Sequence, residues 1–221
     1  ILDPRTFVRN LGLSPKQCGY LEVPSEFPLE NRRIVFSPAG SMSFKNYETT
    51  LPKMLKKIEK VLNKHDGEKG IIHCQSYKTM NHILSHFKGT PHARRLLGHD
   101  PGMRSKKMAL DIHAERQDGT VLLSPSMTEG LDLRDDLSRF QIVAKMPFAS
   151  LADPYVKTRM QLDKDWYRLQ TALTLVQSLG RSIRSAEDHA TSYILDGDFG
   201  FFLKDAEQIL PKWWVDAIDF K

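Results

Sequence analysis

From Tyr47 to Lys64 the apolar residues Leu51, Met54, Leu55, Ile58, Val61 and Leu62 recur every three or four positions. That spacing predicts a helix with one buried stripe. Lys53, Lys56, Lys57, Lys60 and Lys64 give it a basic outer face. After the turn signal "DGEKG" the run "IIHC" predicts a buried strand, and "SYKTMNHILSHF" returns to helical spacing. The alternation then repeats: "RRLLGH" as a strand, "MRSKKMALDIHAER" as a helix, "GTVLLSP" and "RFQIVAKMPF" as strands. A long helix is expected from about Asp153 to Ser182, with Asp153 as N-cap and Pro154 at the first helical position. "ATSYILD" reads as the last strand. The C-terminal "FFLKDAEQILPKWWVDAIDF" reads as a helix broken at Pro211, with Trp213 and Trp214 packing back onto the body.

Short apolar strands alternating with helices require a mostly parallel sheet flanked by helices on both faces, an α/β fold. Residues 46–221 form this domain. Residues 1–45, whose apolar runs "GYLEV" and "RRIVFSP" predict one or two strands, read as a lead-in segment packed on it. The length of 221 residues suits one domain with an appendage. No internal repeat interrupts it. Ile1 opens the chain where an initiator methionine would stand, so a fragment of a longer chain is expected.

No stretch approaches the roughly 18 apolar residues of a membrane span, and the N-terminus lacks a signal-peptide pattern. No membrane partner is expected. Cys18 and Cys74 are too few for a zinc or iron–sulfur motif, and two buried thiols in a reduced, intracellular setting are the expectation. His82 and His86 have metal-compatible spacing but lack a third ligand nearby, so a solvent-facing pair is expected and no metal site. The net charge of +5 favours a polyanionic partner such as nucleic acid.

Ligands of open α/β sheets bind beyond the carboxyl ends of the strands, and three loops are sought there. "CQSYKT" offers Ser76 and Tyr77 at a helix start, with Lys78 just inside, an arrangement that suits a phosphate and a stacked base. A capping serine beside a half-buried tyrosine accounts for the same letters. "SPSMTEGLDL" combines Ser124, Ser126 and Thr128 with Glu129, Gly130 and Asp132; a polar turn accounts for these too. In "QSLGRSIRS", if helical, Gln177, Arg181 and Arg184 fall at i, i+4 and i+7 on one stripe. Guanidiniums grip phosphate bidentately and stay charged. Gly180 costs such a helix about 1 kcal/mol, which points to a close approach there.

In this order, "GIIHCQSY", "TVLLSPSMTEGLDL" and "QSLGRSIRS" resemble motifs IV, V and VI of superfamily-two helicases, and Q-x-x-G-R-x-x-R is the most specific of them. "TEGLDL", "KMPF", "DPY" and "LDGDF" narrow the resemblance to the C-terminal motor domain of the XPD and DinG family of DNA helicases. "FVRNLGL" and "SEFPLENR" resemble the segment after motif III. The resemblance implies a RecA-like second motor domain. Arg184 would be the arginine finger on the γ-phosphate of ATP, Arg181 a second phosphate or interdomain contact, and Gln177 a nucleotide sensor. Gly180, Gly130, Asp132 and Glu129 would border the nucleotide. Ser76, Tyr77, Lys78 and Thr128 would touch single-stranded DNA.

Two positions depart from the family pattern: Thr128 stands where an aromatic is common, and Ser182 where an apolar residue is usual. The sequence contains neither a G-x-x-x-x-G-K-[ST] phosphate loop nor an Asp-Glu-x-His box. The P-loop lysine and most Mg2+ ligands are therefore expected from an N-terminal motor domain of the same chain. Any iron–sulfur cluster would belong to that domain as well. This segment alone is expected not to hydrolyse ATP. The alternatives are a stand-alone nucleic-acid-binding module descended from a helicase, and an RNA-directed motor of the same superfamily.

Overall fold

The computed structural model describes residues 2–21, 23, 25–99, 105–125, 133 and 135–221. Its centre is a seven-stranded sheet in the order β3-β4-β2-β5-β6-β1-β7. The strands are β1 (Ile34–Gly40), β2 (Gly70–His73), β3 (Leu96–Leu97), β4 (Val121–Ser124), β5 (Phe140–Val143), β6 (Thr191–Asp196) and β7 (Ile218–Phe220). Every pairing is parallel. The inner strands β2, β4 and β5 are buried at every position, as a sheet covered on both faces demands.

After the short N-terminal helix α1 (Pro4–Asn10), helices α2 (Tyr47–Lys64) and α3 (Tyr77–Phe87) cover one face. Met54, Leu55, Ile58 and Leu62 of α2 and Met80, Ile83 and Phe87 of α3 meet Val35, Ile72, Ile142 and Tyr193 in a single apolar cluster. The other face carries α4 (Lys106–Glu115) over β3 and β4. It also carries α6 (Lys164–Leu179), α7 (Asp198–Ala206) and α8 (Lys212–Val215) over β5, β6 and β1. Close strand contact leaves no room for a side chain at Gly70, where a Cβ would lie 2.6 Å from the Phe140 ring.

The five strands expected from Gly70 onward all form, as does the helix over 47–64. Within the first forty-five residues β1 forms and sits inside the sheet between β6 and β7, while the described residues of "GYLEV" form no strand. Two expectations need correction. The long helix is two helices, α5 (Pro154–Leu162) and α6, because Asp163 takes an extended conformation and caps α6 by accepting from the Trp166 N–H at 2.9 Å. The C-terminal segment is not helical to its end: Ile218–Phe220 pairs with β1 as an edge strand.

Trp214 is buried against Phe199, and Trp213 lies under the Arg32 guanidinium at 5.3 Å, so both indoles serve packing. Cys74 is buried and its thiol is pushed up by burial, whereas Cys18 is only half-buried. His86 is exposed, but His82 is half-buried, with Nδ1 3.0 Å from the Tyr47 hydroxyl. Among the described residues no helix is long and apolar enough to cross a membrane.

Candidate functional site

Helix α6 stops at Leu179. Gly180 (φ −76°, ψ 0°) caps it, residues Gly180–Ser182 make one 3-10 turn, and Ile183 is extended. The i, i+4, i+7 stripe of Gln177, Arg181 and Arg184 therefore does not form. Gln177 is exposed on the last turn of α6, Arg181 is half-buried in the 3-10 turn, and Arg184 is exposed beyond it. A Cβ at Gly180 would meet nothing within 4 Å, so the approach to this turn is open. Burial first, and then the Arg184 charge, lowers the Arg181 pKa.

Four buried groups brace the turn. Gln141 of β5 donates from Nε2 to the Leu179 carbonyl at 2.8 Å and to Ser192 Oγ at 3.2 Å. Ser182 donates to Ser138 Oγ at 2.6 Å, which satisfies a hydroxyl at a position where the family pattern is apolar. Asp188 Oδ2 accepts the Arg184 N–H at 3.2 Å. Its Oδ1 accepts Arg139 Nη1 at 2.7 Å and the His189 N–H at 3.0 Å. Arg139 also pairs with Asp136 at 2.7 Å. A buried carboxylate with every bond to a charged or N–H donor is strongly anchored.

His73, the last residue of β2, extends this polar seam. Gln141 uses its amide nitrogen elsewhere, so its Oε1 faces His73 Nε2 at 3.4 Å, and the imidazole proton is assigned to Nε2. Burial, with the Arg181 charge in support, holds His73 neutral with a pKa lowered to about 4. Its Nδ1 has no hydrogen-bond partner among the described residues.

The second cluster follows β2. Gln75 takes a left-handed conformation (φ 62°), and Ser76 caps α3 by accepting the Thr79 N–H at 3.1 Å. Tyr77 stays 43% exposed, edge-on to His99. Lys78 is tied to Glu48 at 3.0 Å and lies 4.4 Å above the Tyr47 ring. Ser76 thus performs the capping role, which leaves Tyr77 the more available contact. Thr128, Glu129, Gly130 and Asp132 lie outside the described residues.

The Ser76–Lys78 loop and the Gln177–Arg184 segment do not share one edge, contrary to expectation. The Gln177–Arg184 segment leads into the amino end of β6, and its braces Ser138 and Arg139 immediately precede β5. In an all-parallel sheet such a loop must lie at the edge opposite the loop after β2. The carboxyl edge has its own bolt: Asp196, pushed up by burial, accepts N–H groups from Met42 (3.0 Å), Met146 (2.8 Å) and Asp198 (3.1 Å). Sequence reasoning passed over His73, Gln141, Asp188 and Asp196 as site-building residues. The available signal was a histidine and an amide inside otherwise apolar strands.

Guanidinium groups as a class suit anions through their forked N–H donors. Asp136 and Asp188 are both engaged by Arg139. Among the described residues no group of three or more His, Cys, Asp or Glu side chains is arranged to hold a metal ion.

Residues 58–217 match the family described as Helicase C-terminal domain. The ATP-dependent DNA helicase YoaA of Escherichia coli (strain K12) is 26% identical over 202 residues, which cover 88% of this chain and 31% of that protein. The human regulator of telomere elongation helicase 1 is 33% identical over 102 residues, 39% of this chain and 8% of that one. The chain thus spans a minor part of these relatives. A solved XPD helicase superposes with a TM-score of 0.63 at 13% identity, covering 86% of this chain and 35% of that one. The C-terminal domain of the DEAD-box protein Dbp5 superposes at 0.55 with 13% identity, covering 87% and 89%. Family match, relatives and parallel sheet agree: the chain belongs to the helicase C-terminal domain family and has the RecA-like fold of the XPD structure it superposes on.

Proposed function

We propose that this domain is the second motor domain of an ATP-dependent DNA helicase. An N-terminal motor domain of the same chain supplies the P-loop and the Mg2+ ligands, so the segment alone is inactive as an ATPase. Arg184 acts as the arginine finger on the γ-phosphate, Arg181 as a second phosphate or interdomain contact, and Gln177 as a hydrogen-bonding sensor. Gly180, Gly130, Asp132 and Glu129 border the nucleotide. Ser76, Tyr77, Lys78 and Thr128 contact single-stranded DNA.

The observation that carries this reading is the braced arginine turn: an exposed Arg184 held through its backbone by the buried Asp188. Phosphoryl transfer needs charge fixed around the departing phosphoryl group, and an arginine finger contributes about 10³ to 10⁵ in rate. A finger delivered from a separate domain makes hydrolysis depend on closure, which couples chemistry to movement along the strand. With the arginine turn and the loop after β2 on opposite edges, the sheet between them couples the two as a rigid body.

The test is ATP hydrolysis with and without single-stranded DNA by the full-length chain and by its Arg184→Ala variant. DNA-stimulated turnover that falls at least about a hundredfold in the variant is expected. Normal turnover in Arg184→Ala would remove the finger assignment.

A further inference from the structure

The five lysines of α2 fall on one line. At about 100° per residue, Lys53, Lys56, Lys57, Lys60 and Lys64 project within about 100° of one another, over an axial length of about 16 Å. Two turn back to the sheet: Lys57 donates to Ser37 at 2.7 Å and Lys64 to the Tyr193 hydroxyl at 3.0 Å. Lys53, Lys56 and Lys60 remain exposed. Among the described residues none of these three has a carboxylate within ion-pair distance.

Other surface helices carry their own acids. Lys107 pairs with Asp111 at 2.9 Å and Lys212 with Asp216 at 2.8 Å, each one turn along. On α2 Glu48 is taken by Lys78, and Glu59, which flanks the stripe about 60° from Lys56, makes no ion pair with it among the described residues. Repulsion is felt within the stripe, where the Lys60 charge adds to burial in lowering the Lys57 pKa. Like charges at this spacing destabilise a helix unless an anion lies along them.

The stripe is also placed usefully. Helix α2 begins at Tyr47, whose ring lies beneath Lys78 of the carboxyl-edge cluster, and runs back along the sheet toward the amino edge. We propose that Lys53, Lys56 and Lys60 form a second contact for the phosphate backbone of a nucleic-acid strand, in addition to the one at Ser76, Tyr77 and Lys78. This rests on the motor reading above. The contact is sequence-independent, because lysines meet phosphates as point charges.

The test measures binding of a single-stranded oligothymidine across a salt series, using the full-length chain and its Lys53→Gln/Lys56→Gln/Lys60→Gln variant. Each lost lysine–phosphate contact flattens the log-affinity against log-salt slope by about 0.7, so the triple variant is expected to lose about 2. The matching Lys→Arg triple variant should keep the wild-type slope. Unchanged melting and DNA-independent ATP hydrolysis would show that both variants fold. An unchanged slope in the glutamine variant overturns the stripe alone, and the Arg184→Ala result still stands or falls separately. A wild-type chain that binds no strand overturns both readings.

Discussion

The two candidate regions are built in opposite ways. The arginine turn at the amino edge hangs on buried groups: the Asp188 carboxylate, the Gln141 amide and the Ser182–Ser138 pair. The loop at the carboxyl edge depends on one serine cap and on a Lys78–Glu48 pair whose side chains are 59% and 73% exposed. Buried polar networks fix geometry because an unmet partner is expensive, whereas exposed pairs contribute little. A group that must meet a γ-phosphate at one position gains from the first construction. A surface that follows a flexible strand tolerates the second.

Substitutions test this contrast, beginning with the costliest. Asp188→Ala takes from the Arg139 guanidinium its buried carboxylate, leaving the exposed Asp136, and releases the Arg184 backbone; a loss of about 3 kcal/mol is expected, read as a fall of about 6–10 °C in Tm. In the full-length chain kcat should fall further than KM changes, since the finger acts in the transition state. A stable Asp188→Ala protein with normal kcat would mean that the turn needs no brace.

Acid should attack the domain next. His73 and His113 are both held neutral mainly by burial, with pKa values lowered to about 4 from 6.5. His113 donates from Nε2 to the Leu137 carbonyl and accepts from Thr120 at Nδ1, each at 2.8 Å. Because the unfolded chain protonates first, stability is full above pH 6.5 and drains away as pH falls toward 4. The loss is up to about 3 kcal/mol per histidine. Urea unfolding at pH 7, 5.5 and 4.5 measures it, and His73→Gln should remove part of the slope.

Gln141→Leu takes one bond each from the Leu179 carbonyl and Ser192, and the weaker 3.4 Å contact from His73. A loss of about 1–2 kcal/mol with a lower kcat is expected, checked by denaturant titration and steady-state kinetics. Lys78→Gln, on the exposed side of the comparison, should cost under about 1 kcal/mol while weakening oligothymidine binding. A larger stability loss at Lys78 than at Gln141 would reverse the contrast.

Much of the architecture was legible because local pattern and tertiary role agree. The stripe of α2 and the apolar runs at 70–74, 121–124 and 140–143 each have one burial solution, and the Asp153–Pro154 start of α5 is a local signal. The three-residue strand β7 was not legible. Its alternation of Ile218, Asp219 and Phe220 suits a helix tail equally well, and only the open edge of β1 makes it a strand. The break at Asp163 escaped for a similar reason: an aspartate inside a polar helical stretch caps a new helix only when the chain must turn, and Arg9 meets it across 3.1 Å from the far end of the chain.

The sequence by itself determined the α/β class, the order of the elements and the order of the three motif-like loops. These follow from hydrophobic period and from residue types whose chemistry travels with them. The tertiary structure alone decided that the arginine turn and the serine–tyrosine loop lie on opposite edges, because edge placement depends on the parallel direction of every strand. It also decided that Gln177, Arg181 and Arg184 share no helical face, and that Asp188, Gln141 and Ser138 hold the turn at Arg184, Leu179 and Ser182. Those partners lie 38 to 49 residues apart from the groups they grip or stand beside only a turn away, and folding alone brings them into hydrogen-bond range.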